Sequence, residues 1–398
     1  MKRSTNPRLE ETAPARWALW VVRTVELTVV AAVLLGGTFG VLFLIHRNSP
    51  AAAATAVAAT ASHAPLHVET VTPASHSVNV APTAAVVIRF SAPIASGSPM
   101  PSISPALPGR WQQTGSSELR FIPSAPAPPL ATETLAIPGG SNGMLGTGGQ
   151  RLAVTVRKTW QVRNGSVLGM QQALAQLGYL PLAWKASGGS QAGGSSRTAD
   201  LQDFYSPPAG QFSWRYSNTP APLQSAWKPG TLNHVTEGAM VAFERKDGLP
   251  AYSSIRPVLW TTLLSAELAN QTNPEGYTYA LVSQTQPESL TLWHDGRDVY
   301  TSAVNTGIAQ TPTPVGTFFV YLRFVSTTMS GTNPNGTYYL DHGVKWVNYF
   351  DTGYAIHGFV RATYGFPQSL GCVELPVSHA ALAWKWIHYG TVVTIQPE

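Results

Sequence analysis

The first strong pattern along the chain is an unbroken apolar run. Leu27 to Ile45 (LTVVAAVLLGGTFGVLFLI) holds no charge. As an α-helix it would be roughly 28 Å long, matching a hydrocarbon core of about 30 Å. Lys2, Arg3, Arg8, Arg16 and Arg23 surround its N-terminal approach, and Arg47 is the only further Lys or Arg before Arg89. That asymmetry predicts a single-pass transmembrane helix over 27–45, a cytoplasmic N-terminus over 1–26, and the remainder outside the cell. The alternative is a signal peptide cut within AAAATAVAAT (51–60), although the apolar run exceeds a usual signal core. Residues 46–64 have no apolar period and read as a linker.

From His67 to Val162 the period becomes two. HVETVTP, AAVVIRFSAPI, GRWQQTGSSELRFIPSAP and QRLAVTVRKTWQV are short β runs between Pro and Gly breaks. Val86, Ile88 and Phe90 share one face, as do Leu119 and Phe121 around Arg120. Such spacing predicts an all-β sandwich over 65–163. VVIRFSAPI, GRW and LRFIPSAPAPP resemble the bacterial Ig-like domains that act as spacers in surface proteins.

A helical period follows. In SVLGMQQALAQLGYLP, Ser166 is placed to cap, Val167, Met170, Leu174 and Leu177 fall on one face, and Gly178 ends the helix. TEGAMVAFERKDGLP turns Met240 and Phe243 inward and stops at Gly248, and RPVLWTTLLSAE opens on Pro257. This order resembles the three-helix peptidoglycan-binding module of wall enzymes, and implies a small α-helical module over 164–270. Two features depart from it: a Gly/Ser-rich and aromatic insertion over 186–230, and PAYSSIRP where the module has an Asp-Gly…Gly turn.

Over 276–398 the chain is strand-rich again. In SLTLWHDGRDVYTSAV, Leu290 and Leu292 alternate and Asp295-Gly296 forms a hairpin turn. NTGIAQTPTPVGTFFVYLRF, YYLDHGVKWVNYF, GYAIHGFV, SLGCVELP and TVVTIQ complete a mostly antiparallel β domain. SHAALAWKWIHYG predicts one late short helix, capped by Ser378 and stopped at Gly390. The fold expected is therefore multidomain: a β-sandwich, a helical module and a mostly β C-terminal domain.

Composition changes the picture little. Charged residues are 11% and the net charge is +5. The charges are scattered, without the basic stripe that nucleic-acid binding uses. No HExxH and no Cys/His ligand spacing occurs, so neither metal nor cofactor is expected. The cysteine count matters more: Cys372 is the only one. It can form no internal disulfide, which leaves a buried hydrophobe or a reactive thiol.

His357 precedes Cys372 by fifteen positions, at the end of an apolar strand. A thiol nucleophile needs a base and fixed oxyanion donors. Imidazole suits the first role, and the backbone N–H groups around Gly371 and Cys372 suit the second.

NTGIAQTPTPVGTFFV, then AIHGF, then SLGCVELP, resembles the catalytic domain of the L,D-transpeptidases, the YkuD family. The resemblance assigns His357 as base, with Gly358 beside it, and Ser369, Gly371 and Cys372 as the Ser-x-Gly-Cys run. Tyr339 matches a tyrosine near the oxyanion site, with Tyr338 as the alternative. Trp346, Asn348 and Tyr349 are either cleft or core residues. The implied reaction passes a stem tetrapeptide through a thioester on Cys372, releases D-Ala, and transfers the acyl group to an acceptor amine. Peptidoglycan stem peptides are then the donor and acceptor partners, and carbapenem-type compounds are the expected inhibitors.

Two departures stand out. Leu370 occupies a position where many members have a second histidine, so His357 acts alone. Glu374 stands where Asn or Arg is frequent, and either meets the substrate's ammonium groups or makes a local backbone bond. The rivals are a cysteine carboxypeptidase or wall-peptide hydrolase, and an anchored non-catalytic wall-binding scaffold. The His-before-Cys order argues against papain-like and NlpC/P60-like peptidases.

Overall fold

The computed structural model describes residues 64–187 and 196–398. The expected membrane span over 27–45 and nearly all of the linker lie outside the described residues. Among the described residues no helix is long and apolar enough to cross a membrane.

The first region holds β1 (Val68–Thr72), β2 (Ser77–Val80), β3 (Val86–Phe90), β4 (Ser102–Ser104), β5 (Gly109–Gly115), β6 (Glu118–Pro123), β7 (Thr132–Ile137) and β8 (Val156–Val162). They form two four-stranded sheets, ordered β1-β3-β6-β5 and β2-β8-β7-β4. The alternation read from sequence is realised. Val86, Ile88, Phe90, Leu119 and Phe121 of one sheet bury against Leu135, Ile137 and Trp160 of the other.

The middle region holds α1 (Val167–Gln176), β9 (Leu182–Ala186), α2 (Arg197–Tyr205), β10 (Gly210–Trp214), α3 (Ala221–Ala226), α4 (His234–Lys246) and α5 (Pro257–Ala269). Ser166 caps α1 as expected, its hydroxyl accepting from Leu168 and Gly169 N–H. Gly178 follows in a left-handed conformation that favours glycine. PAYSSIRP is organised by Glu244, which accepts from Tyr252 N–H and from Arg256, the residue just before α5.

The insertion over 186–230 is not an irregular loop. It contributes α2, α3 and β10, and β10 pairs antiparallel with β9. From α2, Tyr205 reaches back to the sandwich, packs on Ala127 and Val162, and donates to Ala127 C=O at 2.7 Å.

The last region holds β11 (Thr278–Ser283), β12 (Ser289–His294), β13 (Arg297–Ala303), β14 (Gly316–Phe319), β15 (Leu322–Thr332), β16 (Tyr338–Asp351), β17 (Tyr354–Gly358), β18 (Val373–Leu375), α6 (Val377–Ala383) and β19 (Val392–Gln396). Asp295 and Gly296 both have positive φ, as the predicted hairpin turn requires. The sheets run β13-β12-β11-β19-β14 and β15-β16-β17-β18. Two pairings, β11 with β19 and β17 with β18, are parallel. Ser378 does not cap the late helix. Pro376 occupies the cap position without a side-chain bond, and α6 ends at Ala383, well before Gly390. The cap falls two residues before the serine, so Ser378 lies inside the first turn, where it cannot cap.

The five-stranded sheet is covered on both faces. Ala280, Val282, Leu290, Leu292, Val393 and Ile395 face the second sheet and α6. Tyr279, Trp293 and Val392 point the other way and join the core of the helices with Met240, Phe243 and Trp260. Burying a large side chain of this kind is worth about 1.5–3 kcal/mol. The helices therefore share a hydrophobic core with the five-stranded sheet. Gly238 of α4 permits the contact: a Cβ there would sit 2.5 Å from Gly390 C=O.

Candidate active site

Parallel pairing of β17 with β18 sets His357 opposite Glu374 and Ile356 opposite Val373. Ile356 and Val373 enter the core. Side chains alternate along a strand, so His357, Glu374 and Cys372 share the opposite face. There Cys372 packs beside Val344, Val347, Ala355, Tyr349 and Phe359. The strand register thus brings the only thiol and the strand histidine together on one surface.

The turn before Cys372 is built by its neighbours. Ser369 is fully buried. Its hydroxyl accepts from Gly371 N–H at 3.0 Å and donates to Cys372 C=O at 2.6 Å. Gly371 has φ +115°, and a Cβ on it would lie 2.4 Å from the Tyr354 ring, so no other residue fits. The NTGIAQTPTP segment braces the same turn. Asn305 exchanges backbone bonds with Glu374, and Ile308 N–H donates to Ser369 C=O. Thr313 accepts from Gly307 N–H and donates to Gly371 C=O. Glu288, buried, accepts from both the N–H and the hydroxyl of Thr306.

His357 is nearly inaccessible, and burial lowers its pKa, opposed chiefly by the charge of Glu374. It is neutral at physiological pH. Its Nδ1 lies 3.2 Å from Gly358 C=O. A carbonyl only accepts, so Nδ1 carries the proton and Nε2 keeps a free lone pair, the form a general base needs. The Glu374 side chain meets another side chain rather than the backbone. Its carboxylate takes both arms of Arg361, at 2.7 and 2.9 Å. Arg361 in turn lies over the Phe359 ring, which packs edge-on to His357. The ion pair and the ring fix the imidazole's surroundings.

Residues 277–395 match the model of the YkuD family, the L,D-transpeptidase catalytic domain. The match spans the two sheets, His357 and Cys372. Among curated proteins none matches the chain. An L,D-transpeptidase from Mycobacterium smegmatis aligns over 84% of this chain and 100% of its own, at 13% identity and a TM-score of 0.27. L,D-transpeptidase 3 from Mycobacterium tuberculosis, in complex with a faropenem-derived adduct, aligns over 83% and 97%, at 14% and 0.28. The catalytic domain of the Enterococcus faecium L,D-transpeptidase aligns over 30% of this chain and 96% of its own, at 28% and 0.28.

Within this YkuD-type domain the expected residues take distinct places. Burial, above all, pushes the Cys372 thiol up to about 11, so at rest it is protonated. Its Sγ lies 3.8 Å from Gly353 C=O, an acceptor that keeps the proton on sulfur. Gly371 N–H is committed to Ser369 and is not a free oxyanion donor. Gly358 serves packing: a Cβ there would meet Ala380 and Val377 of α6 at 3.1 Å. Tyr338 is exposed. Tyr339 instead is half-buried, and burial and then the neighbouring Cys372 raise its pKa. Tyr349 shows the same two causes in the same order. Both remain phenols at neutral pH, and each brings a hydroxyl donor to the cysteine's surroundings. Asn348 is structural, accepting from Arg323 and donating to Trp346 and Ile356 C=O.

Sequence reasoning did not single out Arg361, Tyr354 or Thr313. The signal available for Tyr354 was Gly371 itself, a glycine whose bareness implies a neighbour against it.

Proposed function

We propose that the chain is a cysteine acyltransferase of the L,D-transpeptidase type, acting on peptidoglycan stem peptides outside the membrane. The observation that carries this reading is that His357 on β17, its Nδ1 held by Gly358 C=O, and Cys372, the residue leading into the parallel neighbour β18, share one face of the sheet within the YkuD match.

Because the resting thiol is protonated, proton removal accompanies attack. His357 Nε2 takes the proton from Cys372 Sγ as sulfur bonds to the carbonyl that joins stem residues three and four. The oxyanion then rests on Cys372 N–H and on the phenol of Tyr339 or Tyr349. When the C–N bond breaks, imidazolium returns the proton to the leaving amine of D-Ala, and a thioester remains. An acceptor amine attacks the thioester and gives His357 a proton, which the departing sulfur recovers. Water in the acceptor's place gives carboxypeptidase action.

A carbapenem offers a strained acyl donor to the same sulfur and is the expected inhibitor class. The E. faecium catalytic domain is known in a form acylated by ertapenem. In this reading the sandwich is an Ig-like spacer, the helices derive from a peptidoglycan-binding module, and 27–45 anchors the chain. The test is incubation with a defined stem tetrapeptide and an amine acceptor, followed by product analysis. Cross-linked product and free D-Ala are expected. Cleavage inside the glycan, or at another peptide bond, would overturn the proposal.

A further inference from the structure

A cavity of about 370 Å³ lies where α4, the turn before β19 and the start of β11 meet, and neither Cys372 nor His357 lines it. Arg245 and Lys246 from the last turn of α4 and Arg323 from β15 bring positive charge to its walls, against the single carboxylate of Glu275, while burial lowers the pKa of the fourth basic residue there, His388. Among the described residues none of the two arginines and the lysine is in an ion pair; only His388 has a carboxylate partner, Glu275, at 3.6 Å.

The arginines are held in place by neutral groups. Arg245 lies 4.3 Å from the Tyr389 ring centroid. Arg323 stacks 3.6 Å from the Trp384 ring centroid and donates to Asn348 Oδ1 and Trp384 C=O. Burial lowers the Arg323 pKa to about 10, opposed by Tyr389 and by the Glu275 carboxylate, with which it makes no direct ion pair. Helix dipole complementarity accounts for Arg245 and Lys246 at the end of α4. It does not account for Arg323, which comes from a strand. Buried charge that lacks an ionic partner is costly, and an anionic ligand offsets that cost.

We propose that this cavity is a second ligand site, taking a small organic anion recognised through its phosphate or carboxylate by Arg245, Lys246 and Arg323. Its volume lies in the range of small-molecule sites, about 300–1,000 Å³, with room for more than a bare oxyanion. The proposal stands independently of the transpeptidase reading.

Full-length protein in detergent is titrated calorimetrically with glucose 6-phosphate, glucuronate, glucose and inorganic phosphate. Either acidic sugar is expected to bind with submillimolar affinity, more weakly as salt rises, and glucose not to bind. The paired substitution Arg245→Gln and Lys246→Gln removes two exposed charges and should weaken binding by about tenfold or more. Where that variant melts early, Lys246→Glu replaces it, with binding again weakened. Equal binding of glucose, binding of inorganic phosphate as tight as that of either acidic sugar, no binding of either acidic sugar, or affinity unchanged in the variants would each overturn the proposal. Failure here leaves acylation of Cys372 untouched, so the two readings are tested separately.

Discussion

The thiol's resting state makes the sharpest demand on solution behaviour. With a pKa of about 11, Cys372 is thiolate in only ~1 molecule in 10,000 at neutral pH. An ordinary thiol near 8.5 is ionised roughly 300-fold more often at the same pH. Higher basicity partly compensates, because nucleophilicity rises with pKa at a sensitivity of about 0.4–0.5, or roughly 13-fold here. The net expectation is alkylation by iodoacetamide about 20-fold slower than that of a free thiol at neutral pH. The rate should climb tenfold per pH unit well past the ordinary thiol range. Because burial leaves His357 neutral, His357→Ala should shift this profile little. Intact-mass kinetics across the pH range measure both effects. A midpoint at or below that of a free thiol, lost in His357→Ala, would show a resting thiolate–imidazolium pair and refute concerted proton removal.

Three further outcomes follow from packing and charge. Burial, reinforced by Asp200 and Asp203, raises the Glu267 pKa to about 8. The folded chain therefore keeps a proton that the unfolded chain releases above its ordinary value. Its contribution to stability should fall as pH rises from about 4.5 toward 8, by on the order of 3 kcal/mol at pH 7, and Glu267→Gln should flatten the slope in urea titrations by that share. An unchanged slope would contradict the assignment. Gly371→Ala puts a Cβ against Tyr354 at a positive φ, costing about 1–3 kcal/mol in backbone strain alone. It should abolish acylation, and retained activity would show that the turn is not needed. Gly238→Val forces α4 away from Gly390, and overpacking of this kind costs about 1–3 kcal/mol. Because the helices and the five-stranded sheet share a core, calorimetry should show them melting together at a lower temperature. Two separate transitions would contradict the shared core.

What could be read from sequence was local. The Ser166 cap, the Pro257 start of α5, the Asp295-Gly296 turn and the alternation of β3 and β6 each depend on residues close in the chain. The thiol and the strand histidine were legible for the same reason, since each lies in a short motif. What was missed depends on partners far apart in sequence. β9 and β10 pair across the insertion, a register that no local period encodes. Tyr279, Trp293 and Val392 read as ordinary strand residues, and only the docked helices explain their outward bulk. The Glu374–Arg361 pair depends on how the segment after β17 folds back toward β18. Gly371 was read as an open backbone donor because glycine permits close approach. Its N–H is taken by a serine two residues earlier, a bond the Ser-x-Gly spacing contains but does not announce.

The central claim is that Cys372 carries the acyl group and that His357 is the base that puts it there. Intact and peptide mass spectrometry of the protein, quenched after mixing with a defined stem tetrapeptide, tests it directly. Cys372 should gain the mass of the tripeptide acyl group with release of free D-Ala. Cys372→Ser should show no thioester, and His357→Ala should acylate far more slowly with no change in fold. An unmodified Cys372 in folded protein that still turns over the donor, or a His357→Ala variant acylating at the normal rate, would contradict the claim.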